Sequence, residues 1–183
     1  MKITILNGNP DAGNSKFDDY LRELSEELES SKHTVTVMTL REMDIKYCTG
    51  CWGCWVKTPG QCVIKDDSHD VCAEYIHSNL VVFASPLIMG FMSSLLKKAN
   101  DKLLPLVHPY IEIVQNECHH MARYVKYPQI GLLIEKEEDT GDEDLKIVSD
   151  IYARDALNLK SRLCFTRLTS DLVEDVVDEI NSI

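Results

Sequence analysis

Four cysteines fall within fifteen residues, CTGCWGCWVKTPGQC over 48–62, as Cys48, Cys51, Cys54 and Cys62, with Trp52 and Trp55 threaded between them. Two successive Cys-x2-Cys steps let a short loop aim three thiolates at one face of an iron–sulfur cube, and Cys62 stands where the fourth corner would close. Zinc would accept the same four thiolates in a tetrahedral site, although two well-separated Cys-x2-Cys pairs are its commoner arrangement. A thiol redox pair is a third chemistry, and plain packing a fourth, because cysteine is buried as readily as a small hydrophobe. The wider step before Cys62 favours unligated thiols, so the spacing leaves these alternatives open. Cys72, Cys118 and Cys164 lie in helix, loop and strand patterns and read as packing residues.

Two other segments carry chemistry. NGNPDAGNS (7–15) combines Gly8, Gly13 and Ser15 immediately before a helical pattern. Backbone N–H groups in such a loop, together with a helix N-terminus, suit a phosphate. The loop is neither GxGxxG nor a P-loop, and a plain strand-to-helix turn capped by Asn14 or Ser15 fits equally well. In SPLIMGFMSSLLKKANDK (85–102), Ser85-Pro86 is expected to stop a strand and Gly90 to permit close backbone approach. Leu87, Ile88, Met89, Phe91 and Met92 then supply an apolar wall of the kind a flat aromatic cofactor needs, unless they cover the core or a subunit interface.

His119-His120, beside Glu117 and Cys118, resembles a metal pattern, but adjacent histidines point apart, so a surface or interface role is expected. Arg123, Tyr124, Lys126 and Tyr127 are placed to meet either the phosphates of a nicotinamide cofactor or a partner subunit. No Ser-His-Asp or paired-carboxylate arrangement is legible.

The elements that position these segments alternate. Short apolar runs at Lys2–Asn7, Thr34–Leu40, 80–84, 130–135 and 161–168 read as strands, and amphipathic stripes between them read as helices. The second stripe starts near Asp67 as a cap. Five strands interleaved with helices predict an α/β fold: a flavodoxin-like, doubly wound, five-stranded parallel sheet with helices on both faces. Ligands of such sheets sit beyond the carboxyl ends of the strands, which selects the loops 7–15, 85–92 and 135–141. The cysteine segment follows the second strand and is expected to emerge at that same edge. The acidic run EKEEDTGDEDLK (135–146) reads as a solvated loop entering a helix.

A chain of 183 residues with 44% hydrophobic and 27% charged residues is expected to form one domain, 1–183, with a Cys-rich excursion over 41–66 and an irregular insertion over 103–129. No apolar run is long enough for a bilayer, the start is too short for a signal peptide, and seven cysteines suit a reducing compartment, so a cytoplasmic location is expected. A net charge of −11 disfavours a nucleic-acid partner, whose phosphates must be neutralised by cations.

The strand–GNPDAGNS–helix start, the CTGCWGCW…PGQC…DD block and the FASPLIMGFMSSLLKKANDK segment, in that order, resemble the NADPH-dependent FMN reductase and iron–sulfur flavoprotein group of the flavodoxin-like superfamily. The resemblance implies FMN, its phosphate held by Asn9, Asp11, Gly13, Asn14 and Ser15. Its ring would lie against Pro86, Leu87, Ile88, Met89, Gly90 and Phe91. It also implies NAD(P)H as electron donor, a quinone, flavin or protein acceptor, and a homodimer or homotetramer that completes the pocket. In the iron–sulfur branch Cys48, Cys51, Cys54 and Cys62 would ligate a [4Fe-4S] cluster and the chain would act as an electron carrier. A flavodoxin-like binding module without catalysis is a third implication. Two positions depart from the group: Asp11 stands where Arg is common, and Ile88 where Tyr is common.

Overall fold

The computed structural model describes residues 1–183. Strand β1 (Lys2–Asn7) leads into α1 (Ser15–Ser30), whose Phe17, Leu21, Leu24 and Leu28 form one buried stripe, and then β2 (Thr34–Thr39). A short helix α2 (Gly53–Val56) interrupts the cysteine excursion before α3 (Ser68–His77). Next come β3 (Leu80–Ile88), the two-residue β4 (Phe91–Met92) and α4 (Ser94–Asp101). The insertion carries β5 (Val107–Val114) and β6 (Glu117–Ala122). The chain closes with β7 (Gln129–Glu135), α5 (Asp142–Asn158), β8 (Leu163–Leu168) and α6 (Val173–Asn181).

The central sheet has the order β2-β1-β3-β7-β8, all parallel, with β4 paired antiparallel to β3. Order reverses between β1 and β3, the switch point where a doubly wound sheet opens a crevice. One apolar core lies between the sheet and α1 with α6, using Ile3, Ile5, Val82 and Leu133. The other lies beneath α3, α4 and α5, using Val81, Phe83, Tyr75, Leu96 and Tyr152. Burial on both faces explains why β3 and β7 are continuous apolar runs rather than alternating ones. The five-stranded parallel sheet is therefore as expected. No helix is long and apolar enough to cross a membrane.

Several local expectations are corrected. Ser85-Pro86 does not stop the third strand, which continues to Ile88. Pro86 tolerates the extended backbone, and β4 extends the pairing beyond it. The insertion is not irregular: β5 and β6 form an antiparallel hairpin around Gln115 and Asn116, both at positive φ as a two-residue type I′ loop requires. Pro109, which argues against a strand, sits where the hairpin register shifts. Asp67 occupies the N-cap of α3 without capping it by its side chain. Its carboxylate instead accepts the Asp44 N–H at 2.6 Å. Cys118 is exposed rather than packed, while Cys72 and Cys164 are half-buried.

Candidate functional site

The first loop is stitched to the third-strand segment by backbone and serine contacts. Gly8 N–H donates to Ala84 C=O at 2.7 Å, Ser93 hydroxyl donates to Gly8 C=O at 2.5 Å, and Ser93 N–H donates to Ser85 Oγ at 2.9 Å. Ser93 also caps α4 by accepting from Leu96 N–H. Within the loop Asn9 is fully buried and donates to Asn14 C=O and Asp18. Of the two candidate caps, Asn14 is the one that caps α1, accepting from Phe17 N–H. Burial raises the Asp18 carboxyl, but hydrogen bonds from Asn7, Arg41 and Asn9 outweigh it and hold the pKa below the usual value.

The chain supplies anions of its own to this loop. Gly13 N–H donates to Asp11 Oδ1 at 2.8 Å, and Asn14 Nδ2 donates to Glu135 Oε2 at 2.6 Å. Ser15 opens α1 beside them. At the other side of the crevice, Met89 and Gly90 form a two-residue turn at positive φ. Their N–H groups donate to the two carboxylate oxygens of Glu137 at 3.0 and 2.9 Å. Leu87 and Met92 are buried beneath the turn, whereas Met89 is 94% exposed and Ile88 44%. The fold thus brings the expected residues of both loops to one edge, Pro86 and Phe91 included, and adds Glu135 and Glu137, which sequence reasoning did not single out. Asn14 lies 121 residues from Glu135, and Met89 and Gly90 lie 48 and 47 residues from Glu137, so no local pattern announces them.

The cysteine excursion leaves that edge instead of lining it. After β2 it runs across α3 and α4: Asp67 N–H donates to Asp44 C=O, and Tyr47 lies under the Lys98 ammonium, 5.5 Å from the ring centre. Cys48 and Gly50 face Asn100, Asp101 and Leu104 at the far end of α4. Ser93 and Lys102 bracket this helix, so the two loops and the cysteines lie at opposite ends of an axis of roughly 12 Å. Trp55 anchors the segment, its indole N–H donating to Val107 C=O at 3.0 Å and its ring tilted at 53° against His120, 4.9 Å between ring centres. His119 is buried beside Glu117, so the two histidines pack the hairpin rather than face solvent. Arg123 and Tyr127 likewise turn inward. Arg123 donates to Pro105 and Val107 C=O, and Tyr127 hydroxyl donates to Leu106 C=O at 2.6 Å.

Cys48, Cys51, Cys54 and Cys62 all line one cavity of about 60 Å³, floored by Ile64 and Leu104. Burial, followed by the proximity of Cys62, Cys48 and Cys51, raises the Cys54 thiol. Hydrogen bonds from Gly53 N–H and Thr49 lower Cys51. Four thiolates crowded together repel unless a cation among them compensates their charge. No three His, Cys, Asp or Glu groups are placed to hold a single metal ion, although the four thiols line the same cavity. Cys62 also borders a larger cavity of about 420 Å³ with His69, Cys72, Ile76, Tyr124 and Lys126. Its sulfur accepts from Lys102 Nζ at 3.2 Å, and Lys102 is paired with Asp66 at 3.0 Å. Neither charged residue was expected here, because charge in a sequence reads as solvated surface.

The family model of the flavodoxin-like fold matches residues 1–105. The chain belongs to the flavodoxin-like family. An iron–sulfur flavoprotein of Archaeoglobus fulgidus is 28% identical over 102 residues, 56% of this chain and 48% of that protein. A second iron–sulfur flavoprotein of the same organism is 34% identical over 82 residues, 45% and 36% of the two chains. The matches therefore span about half or less of these relatives' length. Among solved structures, the NAD(P)H:quinone oxidoreductase of Methanothermobacter marburgensis superposes with a TM-score of 0.66 at 16% identity, covering 99% of this chain and 90% of that one. The azoreductase of Bacillus anthracis superposes with a TM-score of 0.64 at 12% identity, covering 100% and 93%. At such identities the superpositions speak for the fold.

Proposed function

We propose that this flavodoxin-like chain is a flavin-dependent oxidoreductase that also carries an iron–sulfur cluster on Cys48, Cys51, Cys54 and Cys62. The observation that carries this reading is the four thiols around one small cavity. Four cysteine sulfurs on one cavity are the donor set that a cube with thiolates at its corners takes. The iron–sulfur flavoproteins matched in sequence support the same reading.

The ring end of a flavin would suit this crevice. Two adjacent N–H donors at Met89 and Gly90 already hold a planar pair of acceptor atoms, the Glu137 carboxylate, and uncovered apolar side chains flank them. The 5′-phosphate of FMN fits less well. Asp11 and Glu135 occupy the Gly13 and Asn14 donors and place negative charge beside a dianion. A bound flavin would accept hydride from NAD(P)H and release electrons singly or in pairs, chemistry that belongs to the cofactor. This chain's part is to hold the ring at the switch point and the thiolates at the far end of α4. NAD(P)H as donor, a quinone, flavin or protein as acceptor, and a homodimer or homotetramer complete the proposal.

Anaerobic purification with absorption spectra and iron and acid-labile sulfide assays tests it. The expected outcome is about four iron and four sulfide per chain, with flavin absorbance restored by added flavin and bleached by NADPH. A colourless chain that takes up neither iron nor flavin would overturn the reading. Flavin without iron would reduce it to a flavin reductase.

A further inference from the structure

Lys102 is the C-cap of α4, and its side chain is 1% exposed. Its ammonium donates to Asp66 Oδ2 at 3.0 Å and to Cys62 Sγ at 3.2 Å. The Asp66 side chain is 0% exposed and is itself fixed, accepting from Lys46 N–H at 2.9 Å, Ser68 N–H at 3.0 Å and the Ser68 hydroxyl. Among the four clustered thiols Cys62 alone faces a cation at hydrogen-bonding distance. The backbone clamps the same point, since Cys72 Sγ–H donates to Lys102 C=O at 3.3 Å.

A sealed Lys–Asp pair is a poor stabilising device, because desolvating two charges costs about what their attraction returns, and an apolar side chain of similar size would pack there at lower cost. Its third participant is therefore informative. An N–H···S hydrogen bond to a ligating sulfur, carried by a positive charge, stabilises the more negative state of a cluster.

We propose that Lys102, held in place by Asp66, sets the reduction potential of the cluster through Cys62. This rests on the cluster reading above. Reduction adds one electron to the cluster–thiolate unit, delivered by reduced flavin in turnover or by a chemical reductant in the test, and neither makes nor breaks a bond. The Lys102 ammonium keeps its protons throughout and only lowers the energy of the added charge. Asp66 offsets part of that field. Lys102 acts through Cys62, so it is a positioning residue, and its removal and the removal of Asp66 should shift the potential in opposite directions.

Iron and sulfide are assayed first, and the cluster is then titrated anaerobically with spectroscopic readout in the wild type and in Lys102→Met, Lys102→Arg and Asp66→Asn. Lys102→Met is expected to retain iron and to weaken reduction about tenfold, a fall of about 59 mV for one electron. Lys102→Arg should stay within about threefold of the wild type, and Asp66→Asn should strengthen reduction. An unchanged potential in Lys102→Met, or a shift of the same sign in Lys102→Met and Asp66→Asn, overturns the proposal while leaving the cluster reading intact. A wild type without iron overturns both, and the metal assay identifies that case. If Lys102→Met does not fold, the Asp66→Asn result decides: a higher potential supports the proposal, and an equal or lower one overturns it.

Discussion

Asn14 Nδ2 lies 2.6 Å from Glu135 Oε2, joining the first loop to the end of β7 through a carboxylate. With Asp11 on the Gly13 N–H, the chain's own anions satisfy donors of this loop. A ligand phosphate must displace both carboxylates and remain close to their charge.

FMN and riboflavin should accordingly bind with affinities within about threefold of each other, since the phosphate contributes little net energy. Asp11→Arg replaces a repulsion by an attraction and should tighten FMN about tenfold or more, roughly 1.4 kcal/mol, leaving riboflavin almost unchanged. Flavin fluorescence titration of both ligands against both proteins reads this directly. An equal gain for the two ligands would show that residue 11 does not face the phosphate.

Gly131 carries a packing constraint at the centre of the sheet. A Cβ there would lie 2.2 Å from the Phe165 ring, which covers β7 from the neighbouring strand β8. Gly131→Ala should destabilise the chain by roughly 3 kcal/mol, at the upper end of overpacking costs, and Gly131→Ala with Phe165→Leu should recover part of the loss. Denaturant midpoints of the single and double variants provide the measurement.

The sheet was legible because β3 and β7 are uninterrupted apolar runs, which a strand buried on both faces requires. The hairpin was not, because Pro109 and a pair of histidines mask its alternation, and its pairing depends on a bulge that composition does not encode. The cysteine spacing announced a cluster of thiols but not its location. Where a loop travels after leaving a strand is decided by anchors such as Trp55 on Val107, which are tertiary contacts. The loops at the switch point were found by topology. The carboxylates that answer them, Glu135 and Glu137, belong to what reads in sequence as a solvated acidic run.

Asp66 should dominate the acid limb of stability. Burial raises its pKa, but the Ser68 hydroxyl, Lys46 N–H, Lys102 and Ser68 N–H together depress it from 3.8 to about 2. A depressed carboxylate stabilises the folded chain fully above its unfolded pKa and loses that contribution as pH falls through the folded value. On the order of 2 kcal/mol should therefore disappear between about pH 5 and pH 2. In Asp66→Asn that segment of the stability–pH curve should flatten, as followed by urea unfolding at a series of pH values. A parallel curve in the variant would contradict the assignment.

Trp55 ties the cysteine excursion to the hairpin, and its two contributions separate by substitution. Trp55→Phe keeps a ring against His120 but removes the indole donor from Val107 C=O, which still accepts from Arg123 at 3.3 Å. The loss should be about 1 kcal/mol, the net worth of one hydrogen bond whose acceptor stays partly satisfied. Trp55→Ala empties a buried site and should cost about 3 to 5 kcal/mol. Because Trp55 touches the hairpin and not the parallel sheet, hydrogen exchange in Trp55→Ala should accelerate over 107–122 and leave β1, β3 and β7 protected. Uniform acceleration across the chain would mean that the excursion and the hairpin fold with the sheet as one unit.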